Sequence, residues 1–92
     1  MIKGFKHKGL QVFFEKGLKK GIQANHAKKL AMQLMQLHEA EDVTDMDEPG
    51  WLLHSLKGDL VNHWSVQVSG NWRLTFKFEN GDAYIVDYQD YH

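Results

Sequence analysis

Hydrophobic residues follow two different periods along this chain. Around Lys8 to Gly17, Leu10, Phe13, Phe14 and Leu18 fall on one face at helical spacing, while Lys16, Lys19 and Lys20 fall mostly elsewhere. That spacing predicts a helix with Gly17 and Gly21 as stop signals. A second helix is expected from about Ala24 to about Glu39, with Asn25 as its N-cap. Its buried stripe reads Ala27, Leu30, Ala31, Leu34, Leu37 and His38, with Lys28, Lys29, Gln33 and Gln36 toward water. Met32 and Met35 flank the stripe as core fillers. The acidic stretch Glu41 to Gly50 reads as a loop. The period then becomes two. Val61 to Ser69, Trp72 to Phe78, and Asp82 to about Tyr91 read as strands. Ile2 to Phe5 reads as a short edge strand.

Turn chemistry sets the register. Asn80-Gly81 favours a two-residue type I′ hairpin, which would pair Glu79 with Asp82, Phe76 with Ile85 and Arg73 with Tyr88. Trp72, Leu74, Phe76, Phe78, Ala83 and Ile85 then share an apolar face. Arg73, Thr75, Lys77, Tyr84, Val86, Tyr88, Asp90 and His92 share the other. Asp87 falls on the apolar face in this register, and nothing in the sequence accounts for it. To set Trp64, Val66 and Val68 beside Trp72 and Leu74, Val68 should pair with Trp72 across a three-residue loop, Ser69-Gly70-Asn71, with a bulge. A plain two-residue loop would send Ser65 and Gln67 into the core. The expected fold is α+β: two N-terminal helices packed on one face of a small antiparallel sheet, with residues 1–92 as a single domain.

Ninety-two residues suffice for one small domain. There is no cysteine, hence no disulfide framework and no thiolate metal cage. Met1-Ile2-Lys3-Gly4-Phe5-Lys6 shows neither a long apolar run nor a cleavage site. No stretch is long enough to cross a bilayer, so the cytoplasm is the expected home. The net charge of -1 hides an asymmetry. Residues 1–40 hold eight Lys and two Glu, whereas residues 41–59 hold six acids and Lys57. A basic front half points to a polyanionic partner, with a solvated Lys-rich helix face as the plainer reading.

Asp90-Tyr91-His92 places three proton-handling side chains in succession. A polar strand end is the plainer reading. His54 and Lys57 stand just before the sheet, and Arg73 stands amid apolar strand neighbours. Arg73 offers a fixed cation whose fork fits phosphate; the alternative is a cross-strand or salt-bridge role. Taken together, His54, Lys57, Arg73, Asp90, Tyr91 and His92 supply bases, acids and two cations without a nucleophilic Cys. RNA cleavage without metal needs that inventory. The 2′-hydroxyl is the nucleophile, so the enzyme adds a base, an acid for the 5′-oxygen, and cations for the phosphorane charge. His54 and His92 are the leading acid–base candidates, with Asp90 orienting one of them. His7, His26, His38 and His63 lack HExxH-like spacing. No metal site, phosphate-binding Gly loop or serine elbow is seen, and no cofactor is expected.

Several stretches carry a resemblance. Ile2-Lys3-Gly4-Phe5-Lys6-His7-Lys8-Gly9-Leu10, His54-Ser55-Leu56-Lys57-Gly58, Asn71-Trp72-Arg73-Leu74-Thr75-Phe76, and Gly81-Asp82-Ala83-Tyr84 through Asp90-Tyr91-His92 resemble the HigB toxins of the RelE/ParE superfamily. The resemblance spans nearly the whole chain and is weakest between about Lys16 and Gly50. It implies two helices on an antiparallel sheet and a ribosome-dependent mRNA interferase that arrests translation. It also implies neutralisation by a HigA-type helix-turn-helix antitoxin, which would link the toxin to operator DNA only indirectly. The family's working residues fall on His54, Lys57, Arg73, Asp90, Tyr91 and His92. Lys16, Lys19, Lys20, Lys28 and Lys29, with Asn71, are the candidates for contact with RNA. Two other functions remain open: a ParE-like gyrase inhibitor on the same fold, and a non-catalytic RNA-binding module using the Lys face.

Overall fold

The computed structural model describes residues 1–58 and 60–91; Asp59 and His92 lie outside the described residues. Two helices, α1 (Lys8–Lys16) and α2 (Ala27–Glu39), precede four strands: β1 (His54–Ser55), β2 (His63–Ser69), β3 (Trp72–Glu79) and β4 (Asp82–Asp90). The strands form one antiparallel sheet in the order β1-β2-β3-β4. Before α1, Ile2 and Phe5 make isolated parallel bridges to Ala83 and Val86, which covers the outer edge of β4.

α1 starts where His7 Nδ1 accepts the Leu10 N–H at 2.9 Å. It stops at Gly17, whose φ of 74° is the left-handed turn that glycine makes at least cost. α2 begins differently from the expected Asn25 cap. A 3-10 turn spans Ala24–His26 and α2 follows from Ala27. The His26 ring does not cap either, because it is buried against the Tyr88 hydroxyl.

The buried stripe of α2 is Ala27, Leu30, Gln33, Leu34 and Leu37. Ala31 is exposed, and Met32 and Met35 are each 54% exposed, so neither methionine fills the core. The stripe is narrow because a single sheet face is all that α2 covers. Gln33 is fully buried and donates through Nε2 to the Gln67 carbonyl at 2.8 Å. His38 is half-buried and accepts the Ile2 N–H at Nδ1, at 3.1 Å. The acidic stretch also departs from a plain loop. Val43–Met46 forms a 3-10 turn closed by a capping box between Asp42 and Asp45, and it drives Met46 fully into the core.

Two bulges shape the sheet. In β2, Gln67 pairs with Arg73 but Ser69 pairs with Trp72, so Val68 is the extra residue. The turn is therefore the two-residue Gly70-Asn71, not the expected three-residue loop. The bulge restores the parity that loop was to supply, and Val66 and Val68 stay buried. It also interrupts the ladder at Gln67, whose carbonyl is the one Gln33 satisfies.

The second bulge overturns the register expected for β4. Glu79 pairs with Asp82, and Lys77 with Tyr84, as the Asn80-Gly81 turn requires. Beyond that point Thr75 pairs with Asp87 and Leu74 with Tyr88. Ile85 sits in the bulge at φ 54° and is 46% exposed, instead of lying in the core opposite Phe76. One extra residue inverts every later side chain. Val86 and Tyr88 go to the buried face, and Asp87 leaves it. The expected pairing of Arg73 with Tyr88 becomes Arg73 with Gln89.

Candidate active site on the open sheet face

The face of the sheet away from the core carries ordered cross-strand rows. One row runs His54, Ser65, Thr75, Asp87, and the next runs Gln67, Arg73, Gln89. Neighbouring strands lie about 4.8 Å apart, so the face from β1 to β4 is roughly 14 Å wide. That extent suits a polymeric substrate lying across it better than a small molecule in a closed cavity.

The Gly70-Asn71 turn is the fixed point of the face. Its Gly70 carbonyl accepts from Arg73 Nη1 at 2.7 Å and from Gln67 Nε2 at 2.9 Å. The Asn71 carbonyl accepts the Tyr91 N–H at 2.8 Å. Asn71, Arg73 and the backbone of Tyr91 are thereby tied together. Arg73 Nη1 also reaches the Trp72 carbonyl at 3.2 Å. Among the described residues no acceptor engages Nε or Nη2 of Arg73, so the outer part of the fork is available to an anion.

His54 is held from both sides. Its Nδ1 lies 3.0 Å from the Leu52 carbonyl, and its Nε2 lies 3.4 Å from Ser65 Oγ. A carbonyl can only accept, so Nδ1 carries the proton and Nε2 of the neutral ring presents its lone pair. Leu52 adopts φ 53°. A left-handed leucine is an uncommon, strained residue, of the kind that clusters at functional positions. Lys57 is exposed just beyond β1.

Three expected placements change. Asp90 pairs with Trp72 and its charge acts on the Tyr88 phenol, so it belongs to the opposite face from Arg73. Tyr91, expected on the reverse, joins the Arg73 face because the Ile85 bulge shifts the parity. His92 lies outside the described residues. Below the face, Tyr88 accepts the Gln23 N–H at 3.4 Å, contacts His26 Nδ1 and stacks on Trp72 at 4.5 Å. Burial, and secondarily the charge of Asp90, raise the Tyr88 pKa above the usual phenol value, against a lowering by the Gln23 hydrogen bond.

Residues that the sequence did not single out complete the face. A pocket of about 280 Å³ is lined by Lys6, Leu56, Leu60, His63, Thr75, Ile85, Asp87, Gln89 and Tyr91. The parity of His63 with Ser65 and Gln67 was a readable signal for His63. For Asp87 the signal was its misfit on an apolar face. By contrast, His7, His26 and His38 cap or pack. Among the described residues no group of three or more His, Cys, Asp or Glu is placed to hold a metal ion.

The RNA-contact lysines lie elsewhere. Lys16, Lys19, Lys20, Lys28 and Lys29 cluster along the end of α1, the connection and the start of α2, and all but the half-buried Lys29 are exposed. Gly9 and Gly21 pin this connection. A Cβ on Gly21 would stand 2.5 Å from Gly9 Cα, so the backbones approach as only glycines allow.

Two helices over one face of an antiparallel sheet, with a polar and cationic face opposite, give the architecture of a RelE-like toxin. The family model described as the RelE-like toxin of the type II toxin–antitoxin system HigB matches residues 3–92, and the chain belongs to that HigB-like family. The endoribonuclease HigB of Proteus vulgaris is 46% identical over 92 residues, covering 100% of both chains. As a toxin of such a system the protein has an antitoxin partner. Among the described residues no helix is long and apolar enough to cross a membrane.

Proposed function

We propose that this toxin is an endoribonuclease that cuts mRNA on the translating ribosome, in the cytoplasm, and is neutralised by a HigA-type helix-turn-helix antitoxin. The observation that carries the reading is the open face. A half-engaged Arg73 and an oriented His54 stand on a wide polar surface. Full-length similarity to a protein named as an endoribonuclease supports it.

The chemistry follows from the groups. His54 Nε2, unprotonated while Nδ1 is held by Leu52, is the base for the 2′-hydroxyl. That oxygen attacks the adjacent phosphorus, and the 5′-oxygen leaves with a proton from an acid, the role assigned to His92. Arg73 and Lys57 stabilise the phosphorane charge. Tyr91, on the Arg73 face, orients the phosphate. Asp90, on the other face, acts indirectly, through the end of β4. The Lys cluster on the helical layer grips ribosomal RNA, with the salt sensitivity of phosphate contacts.

The test is to incubate the protein with a reporter mRNA alone and with the same mRNA on programmed ribosomes. Cutting on ribosomes and little cutting of naked mRNA is expected. Equal rates in both would refute the ribosome dependence. No cutting in either, with translation still arrested, would favour a toxin that acts by binding.

A further inference from the structure

We propose that the pocket between β1 and the β4 bulge seats one RNA base beside the scissile phosphate, and that it favours bases with an exocyclic amino group over uracil. This rests on the ribonuclease reading above. At about 280 Å³ the pocket falls just short of the roughly 300 Å³ at which drug-sized sites begin, which suits a single base. Leu56, Leu60 and Ile85 supply apolar walls, and Tyr91 supplies an aromatic ring of the kind on which unpaired RNA bases stack.

The polar groups decide which base. Asp87 Oδ1 takes the Tyr88 N–H at 2.9 Å, which leaves Oδ2 as an acceptor. Gln89 Nε2 donates to Thr75 Oγ1 at 3.2 Å, which leaves its carbonyl oxygen. His63 Nδ1 lies 3.2 Å from the Val61 carbonyl, so Nε2 of the neutral ring presents a lone pair. The pocket therefore offers three acceptors. Adenine, cytosine and guanine each carry an amino donor, whereas uracil turns carbonyl oxygens toward the same groups. A carboxylate facing a carbonyl is repulsive and unpaired, so uracil is disfavoured.

Position supports the assignment. Tyr91 lines the pocket, Leu56 precedes Lys57, and Thr75 lies two residues from Arg73 on the same face, about 7 Å along the strand. The left-handed Ile85 is the device that turns Asp87 and Gln89 toward this pocket.

The experiment uses programmed ribosomes whose A-site codon is varied base by base among A, C, G and U. Single-turnover cleavage rates are read for wild type, Asp87→Ala and Leu60→Trp. Wild type should cut about tenfold or more slowly when uracil occupies one particular codon position. Asp87→Ala should bring that ratio close to one. Because Asp87 also holds the Tyr88 N–H, Leu60→Trp serves as the second variant: residue 60 is 42% exposed, and its indole fills the pocket without touching the core. It too should flatten the ratio and should raise KM more than it lowers kcat. A wild type indifferent to uracil at every position, or a ratio that survives both substitutions, overturns the pocket assignment while leaving the ribonuclease reading intact. A wild type that cuts no programmed mRNA overturns both.

Discussion

On the buried face of the sheet, Val66, Leu74, Phe76 and Val86 are fully inaccessible and meet Leu10, Leu30, Leu34 and Leu37 from the helices. On the open face of the same strands, Ser65, Gln67, Arg73, Thr75, Asp87 and Gln89 are joined by hydrogen bonds and carry the candidate chemistry. Adjacent residues belong to different systems: Leu74 is core, and Arg73 is site. The bulges at Val68 and Ile85 decide which residue goes where. On the buried face the bulges only preserve packing. On the open face the Ile85 bulge chooses the functional groups, withdrawing Asp90 and delivering Asp87, Gln89 and Tyr91. The comparison teaches that a strained backbone position can matter more to the site than to the core.

The comparison breaks if substitutions on the two faces have the same consequences. Leu74→Ala should have the largest effect on stability. It empties a fully buried position and should cost about 2–5 kcal/mol, read as a lowered denaturation midpoint with an unchanged slope. A smaller effect is expected at the helical connection. Gly21→Ala places a methyl group 2.5 Å from Gly9 Cα, so the backbones must part, at a cost of about 1–3 kcal/mol in urea denaturation. Smallest is Ile85→Gly. It relieves the left-handed strain but gives up a half-exposed apolar side chain and adds chain entropy, so the melting temperature should move little. Cleavage on ribosomes should nevertheless fall, because the substitution removes a wall of the pocket and loosens the bulge that aims Asp87. A large drop in melting temperature with normal cleavage would put Ile85 with the core instead.

Much of this architecture was legible in the chain because it depends on period. The helical spacing of Leu10 and Phe13, the alternation through β2 and β3, and the Asn80-Gly81 turn were enough for two helices on an antiparallel sheet. The narrow stripe of α2 was not legible. Whether Met32 and Met35 are covered depends on what stands opposite them, and Gln33 is buried only because the Val68 bulge frees a carbonyl for it. Nor was the bulge at Ile85, since a β-branched residue is the last that propensity would place at positive φ. Its trace was the misplaced charge of Asp87. The residue types of His54, Arg73 and Tyr91 could be picked out in advance. Which face each occupies could not, because face depends on a one-residue parity.

The central claim is that the chemistry resides on the open face and the stability on the buried one. Arg73→Ala tests it most directly, beside the fully buried Leu74. Cleavage of a reporter mRNA on programmed ribosomes and thermal melting are measured on the same preparation. The account predicts a loss of about a hundredfold or more in cleavage rate, as for removal of one preorganised charge donor, with a melting temperature close to that of the wild type. Wild-type cleavage by a protein that melts normally, or lost cleavage that merely tracks lost folding, would contradict it.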